Sequence, residues 1–122
     1  MGLTSEALKR LRDAVGDDDL IIADILQSFV DEVDGLLDKL PSAAATNDMK
    51  TLGRIAHTLK SSCRDLGDKA AGDLCAKLEG DARTGEILET GAAIAMITDA
   101  CLELKSEVIS YLNQIEKRSQ LT

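Results

Sequence analysis

The single histidine of this 122-residue chain, His57, sits in the stretch IAHTLKSSCRDLG, residues 55–67, among basic, small and apolar side chains. Imidazole is the side chain that ordinarily titrates near neutrality, so an exposed neutral ring offers a nitrogen lone pair to an electrophile. If the segment is helical, a turn of about 100° per residue sets His57 about 160° around the axis from Leu59. Leu59 belongs to the apolar stripe Met49, Leu52, Ile55, Ala56, Leu59, Cys63 and Leu66, so His57 faces solvent. Lys50, Gly53, Arg54, Lys60, Ser61 and Arg64 project within about 60° of it, and Asp48 and Asp65 fall outside that arc. A chain of formal net charge -8 thus builds a helix face with four cations, no acid and one imidazole.

A phosphoryl group on that ring would carry nearly two negative charges. Lys60 and Arg64 lie one and two turns on to meet it, and Gly53 and Ser61 leave room for a second protein to approach. An incidental histidine on a solvated basic face fits the same spacing, and geometry alone does not choose between them. Ser61 and Ser62 have no second histidine or evident base to activate them, which removes a serine-hydrolase reading. No glycine-rich phosphate loop is present, so nucleotide binding and kinase chemistry are not expected.

The elements that must hold this face follow from composition and period. The chain is 44% hydrophobic but only 2% aromatic, with one proline, and its length suits one domain, residues 1–122. A short helix is predicted over about 4–15, with Thr4 or Ser5 as N-cap and Gly16 as its stop. Asp17, Asp18 and Asp19 then favour a helix start at about Asp18 through their position at the positive end of its dipole. Leu20, Ile21, Ile25, Leu26, Phe29, Val33, Leu36, Leu37 and Leu40 form its expected core stripe. Pro41 either ends or kinks that helix; the run of alanines Ala43–Ala45 favours a kinked continuation.

Asn47 and Asp48 open the histidine helix, which Gly67 closes. The next helix restarts at Asp68 with Ala71, Leu74, Cys75, Leu78 and Ala82 inward, and ends near Thr84 and Gly85. After a short polar connection, a last helix over about 90–117 carries Ile94, Ile97, Cys101, Leu104, Val108, Leu112 and Ile115. The expected fold is all-α: an antiparallel four-helix bundle with its core over about 18–117 and the short N-terminal helix laid across one end.

The acidic net charge disfavours nucleic acid and anionic membrane as partners and leaves a protein partner as the natural one. Neither a signal-peptide core nor a membrane-length apolar run is visible, which points to a cytoplasmic protein. Cys63, Cys75 and Cys101 read as separate buried thiols in a reducing compartment, and without a CxxC pair no metal site is expected. No long apolar seam is left over, so a monomer is expected, and the complete helix count favours a stand-alone protein.

The segment His57-Thr58-Leu59-Lys60-Ser61-Ser62-Cys63-Arg64-Asp65-Leu66-Gly67 resembles the signature of the histidine-containing phosphotransfer (HPt) family, roughly His-x-Leu-Lys-Gly-Ser/Ala-Ser/Ala-x-x-Leu-Gly. The likeness extends to Cys75-Ala76-Lys77-Leu78-Glu79, to Phe29 and to the acidic turn before Asp19. It implies a four-helix bundle that takes a phosphoryl group from a receiver-domain aspartate and passes it to another receiver, within response regulators or a hybrid histidine kinase. By this resemblance His57 is the phosphorylated residue and Lys60 screens the phosphoryl oxygens. Glu79 orients the ring through Nδ1, and Lys50, Gly53, Arg54, Ser61 and Arg64 form the docking rim. The protein is then a phosphocarrier without kinase activity or a cofactor of its own, Mg²⁺ being the receiver's contribution. Ser61 departs from the family's usual glycine and adds a small side chain to the docking face. The competing class is a phosphorylation-independent helical adaptor or kinase-docking module.

Overall fold

The computed structural model describes residues 2–85 and 90–120. Five helices follow in order: α1 (Ser5–Ala14), α2 (Asp19–Ala45), α3 (Met49–Asp65), α4 (Lys69–Thr84) and α5 (Thr90–Gln120). Four of them start on a side-chain cap. Thr4, Asp18, Asp48 and Asp68 each accept from a backbone N–H of the first turn, satisfying a donor that would otherwise lack a partner. The connection expected before Thr90 lies at 86–89, outside the described residues.

α2 packs on α3 and α5, and α4 packs on α3 and α5, which closes a ring of four around one core. Ile22, Leu26, Leu40, Leu52, Leu59, Leu78, Ile97 and Leu104 are the largest side chains wholly withdrawn from water there. α2 runs unbroken through Pro41, so the expected continuation to Ala45 holds. Among the described residues no helix is long and apolar enough to cross a membrane.

The start of α2 corrects the predicted stripe. Ile22, not among the expected positions, is fully buried, whereas Leu20 is 78% exposed and Ile21 and Ile25 are also exposed. The buried line runs Ile22, Leu26, Phe29, Val33, Leu37, Leu40. Leu20 points about 160° away from Ile22, and Ile21 and Ile25 fall together on one flank. Met49, Leu74 and Leu112 are half-buried at the edge of the core, and Ala7 is the residue that α1 buries. The last helix extends beyond the expected stop at Lys117 to Gln120.

α1 lies across the end where α2 and α4 begin and α3 finishes. The Thr4 N–H donates to the Leu66 carbonyl at 3.2 Å, and the Leu3 N–H donates to Glu107 Oε1 of α5 at 3.2 Å. Arg12 donates to Tyr111 Oη at 2.6 Å and to Asp19 at 2.8 Å, joining α1 to α5 and α2. These contacts seat the short helix.

Gly67 is where α1 meets the α3–α4 turn. Its φ of +93° lies in the left-handed region, and a Cβ there would run into the Thr4 side chain, the cap of α1. Gly67→Ala is therefore expected to destabilise the fold by about 1–3 kcal/mol through backbone strain and displacement of that cap. Urea denaturation measures this; a midpoint unchanged from the parent would show that the turn relaxes freely.

Candidate functional site

α3 presents His57 outward, its side chain 60% exposed, because Ile55, Ala56 and Leu59 on the opposite arc are buried in the bundle. The Asp48 cap fixes where α3 starts and therefore which residues share its outer face. α4 runs alongside, and Gly53 lets the two helices come close: a Cβ there would sit 3.4 Å from that of Ala82. The result is an open groove lined by Met49, Lys50, Gly53, Arg54, His57, Glu79, Ala82 and Arg83.

Glu79 is the hub of this groove. Its Oε2 lies 2.8 Å from His57 Nδ1, its Oε1 accepts from Lys60 Nζ at 2.6 Å, and Arg83, one turn on along α4, lies 3.8 Å from Oε2. The Glu79 side chain is only 15% exposed. The Lys60 ammonium holds its carboxyl below the ordinary glutamate range, with the His57 contact adding to this and partial desolvation opposing it. The sign follows: a carboxylate lowered in the fold keeps its contacts as pH falls through the ordinary range and loses them only below it.

The charge state of Glu79 fixes the tautomer of His57. An ionised carboxylate only accepts, so the 2.8 Å contact requires the proton on Nδ1. In the neutral ring the lone pair then resides on Nε2, away from Glu79 and toward solvent. This arrangement can perform nucleophilic attack from Nε2 while the carboxylate holds the positive charge that develops on the ring.

The expected basic strip changes when α4 is added. On α3 alone it has no acid, but Glu79 places a carboxylate in its middle and Asp73 faces its far end. Lys50, Gly53 and Arg54 share the groove with His57. Lys60 is drawn against Glu79 and is only 20% exposed. Arg64 turns away: its stem lies over Gly72, where a Cβ would meet Arg64 Cγ at 2.6 Å, and its guanidinium is 3.4 Å from Asp73. Ser61 is exposed and does not line the groove. Arg83 and Ala82 line it without having been expected; the i, i+4 spacing of Glu79 and Arg83 is the signal that could have found the arginine.

Comparison with known proteins adds to this geometry. The sequence model of the Hpt domain matches residues 24–116. Over 44 residues, 36% of the chain, the sequence is 50% identical to the sensor protein TorS of Escherichia coli (strain K12), and the chain spans only 5% of that protein. The crystal structure of histidine-containing phosphotransfer protein B (HptB) from Pseudomonas aeruginosa PAO1 matches with a TM-score of 0.82, covering 93% of this chain and 96% of that one. The sequence identity in that match is 22%, so it is a likeness of fold.

Proposed function

This chain belongs to the Hpt domain family, and from that premise we propose that it serves histidine phosphotransfer in a phosphorelay, with His57 Nε2 as the atom that carries the phosphoryl group. The observation that carries the assignment is the 2.8 Å contact between Nδ1 and Glu79, which leaves Nε2 as the available nitrogen of a ring whose side chain is 60% exposed. In the forward step the Nε2 lone pair attacks the phosphorus of a receiver's aspartyl phosphate. A P–N bond forms, the P–O bond to the aspartate breaks, and its electron pair leaves with the carboxylate. Glu79 stays ionised beside the imidazolium that results. The reverse sequence delivers the group to a second receiver.

Lys60 has a double task in this reading. Paired with Glu79, it offsets the carboxylate that would otherwise repel an incoming phosphoryl group, and its ammonium is one helical turn from the ring to meet the phosphoryl oxygens. Arg54 and Lys50 supply the exposed positive rim. In this reading the receiver brings the acceptor carboxylate and Mg²⁺, and the bundle brings the positioned ring, acting as a carrier and not as a kinase. We place this carrier in the cytoplasm as a monomer.

Incubation with a phosphorylated receiver tests the proposal. Label that is acid-labile and alkali-stable supports it, whereas stable binding with no transfer of label would favour a docking adaptor. Glu79 is a positioning residue here, so Glu79→Ala is expected to slow transfer about 10–100-fold, by analogy with the loss when the partner that orients a metal-binding imidazole is removed. Glu79→Gln, which keeps a hydrogen-bond acceptor, should restore part of the rate; a parental rate in Glu79→Ala would exclude the orienting role. Docking through Lys50 and Arg54 should weaken several-fold from low to high ionic strength. Titration of binding at two salt concentrations checks this, and equal affinities would remove the electrostatic rim.

A further inference from the structure

Three helices aim their cysteines at one point in the core. Cys63 on α3, Cys75 on α4 and Cys101 on α5 are free thiols fully withdrawn from solvent. Their Sγ atoms all lie within 4.8 Å of one another, and the Cys63–Cys101 pair is 3.7 Å apart. One buried cysteine is a small hydrophobe that packs. Three whose sulfurs meet are also a ligand set, and spacing along the chain could not reveal it because each comes from a different helix.

Geometry and charge select the ligand. A three-coordinate centre with bonds of about 2.3 Å to sulfur spaces its ligands about 4 Å apart when planar and closer when pyramidal. Small torsional adjustments bring the present sulfurs to that spacing. Zinc in a structural site takes four ligands, and among the described residues this cluster offers three. Three thiolates around a monovalent or divalent cation would also leave net negative charge in an apolar core, at a large desolvation cost. A trivalent centre leaves none. The resting sulfurs are S–H groups: contact with Cys101, reinforced by burial, pushes the Cys63 thiol up to about 12. At Cys75 and Cys101 the contacts among the thiols act in both directions, and burial helps leave each raised to about 12.

We propose that Cys63, Cys75 and Cys101 form a binding site for trivalent arsenic. The reacting species is As(OH)₃, the neutral form of arsenite. Each of its As–O bonds is replaced by an As–S bond, and each departing hydroxide leaves as water with one thiol proton. Three waters are released, arsenic remains trivalent, no electron is transferred, and the product is neutral. Entry requires a local opening of the bundle, so capture is slower than at an exposed thiol. Bound arsenic fastens α3, which carries His57, to α4, which carries Glu79, and both to α5.

Intact-mass spectrometry of the reduced chain after incubation with arsenite tests the site, with circular dichroism on the same sample. The expected result is a gain of one arsenic with loss of three hydrogens, retained helicity and a raised melting temperature. Cys75→Ala leaves two sulfurs and should lose that adduct. If the variant does not fold, the hydrogen count on the unaltered chain still decides. No uptake, uptake with fewer than three hydrogens lost, or uptake only after helicity has collapsed would each overturn the site.

Discussion

His57→Gln is expected to abolish acceptance of phosphoryl label from a phosphorylated receiver while changing stability by no more than about 0.5 kcal/mol, the usual range for a surface substitution. The two halves of this expectation have separate causes. Glutamine has no nitrogen lone pair of imidazole nucleophilicity, so the P–N bond cannot form. The His57 side chain is exposed, and the apolar contacts of α3 are made by Ile55, Ala56 and Leu59 instead. Gel autoradiography reads the label, and urea denaturation reads the stability. Residual label on the variant would mean that a second residue accepts the group. A large loss of stability would mean that the ring has a structural part that its exposure conceals.

Leu59→Ala should do the opposite. Leu59 lies two residues beyond His57 on the other side of the same helix and is 1% exposed. Truncation removes buried methyl groups and leaves a cavity between packed helices, at a cost of about 2–5 kcal/mol. For a domain whose whole stability is of order 5–15 kcal/mol, this is a large fraction. The chemistry at Nε2 does not touch Leu59, so the fraction still folded should transfer label at close to the parental rate. A shift of less than about 1 kcal/mol in urea would show that the bundle collapses around the missing side chain. A folded variant that no longer transfers would show that packing under α3 controls the ring directly.

The helices were legible because their signals are local. Asp18, Asp48 and Asp68 each precede an apolar period and cap the helix that follows. The outward placement of His57 also needed only the helical turn, since its neighbours on the inner arc are plainly apolar. Contacts between helices were less accessible. The first turns of α2 contain Leu20, Ile21, Ile22 and Ile25, and periodicity cannot say which of several adjacent apolar residues lies under the opposing helix. The assembled bundle buries Ile22 and leaves the other three exposed.

The site shows the same division. Along α3 the basic strip has no acid, and only packing against α4 brings in Glu79, which draws in Lys60, and Arg83, which joins Lys50 and Arg54 as an exposed cation of the groove. Glu79 was reached through resemblance to a family, not through spacing, because its distance from His57 is a property of two helices. The contacts of Arg64 were hidden for a similar reason: its stem lies over Gly72 of α4 and its guanidinium faces Asp73, both on another helix. The three cysteines are legible one by one as core residues, and their meeting point is a property of the assembled bundle.

The central claim is that Glu79, by holding the proton on Nδ1, directs the phosphoryl group to Nε2 of His57. Long-range ¹H–¹⁵N correlation of the imidazole, recorded on the phosphorylated protein with coupling to ³¹P, tests it most directly. Phosphorus coupled to Nε2, with Nδ1 still protonated, is the predicted result. Phosphorus on Nδ1, or on any residue other than His57, would contradict it.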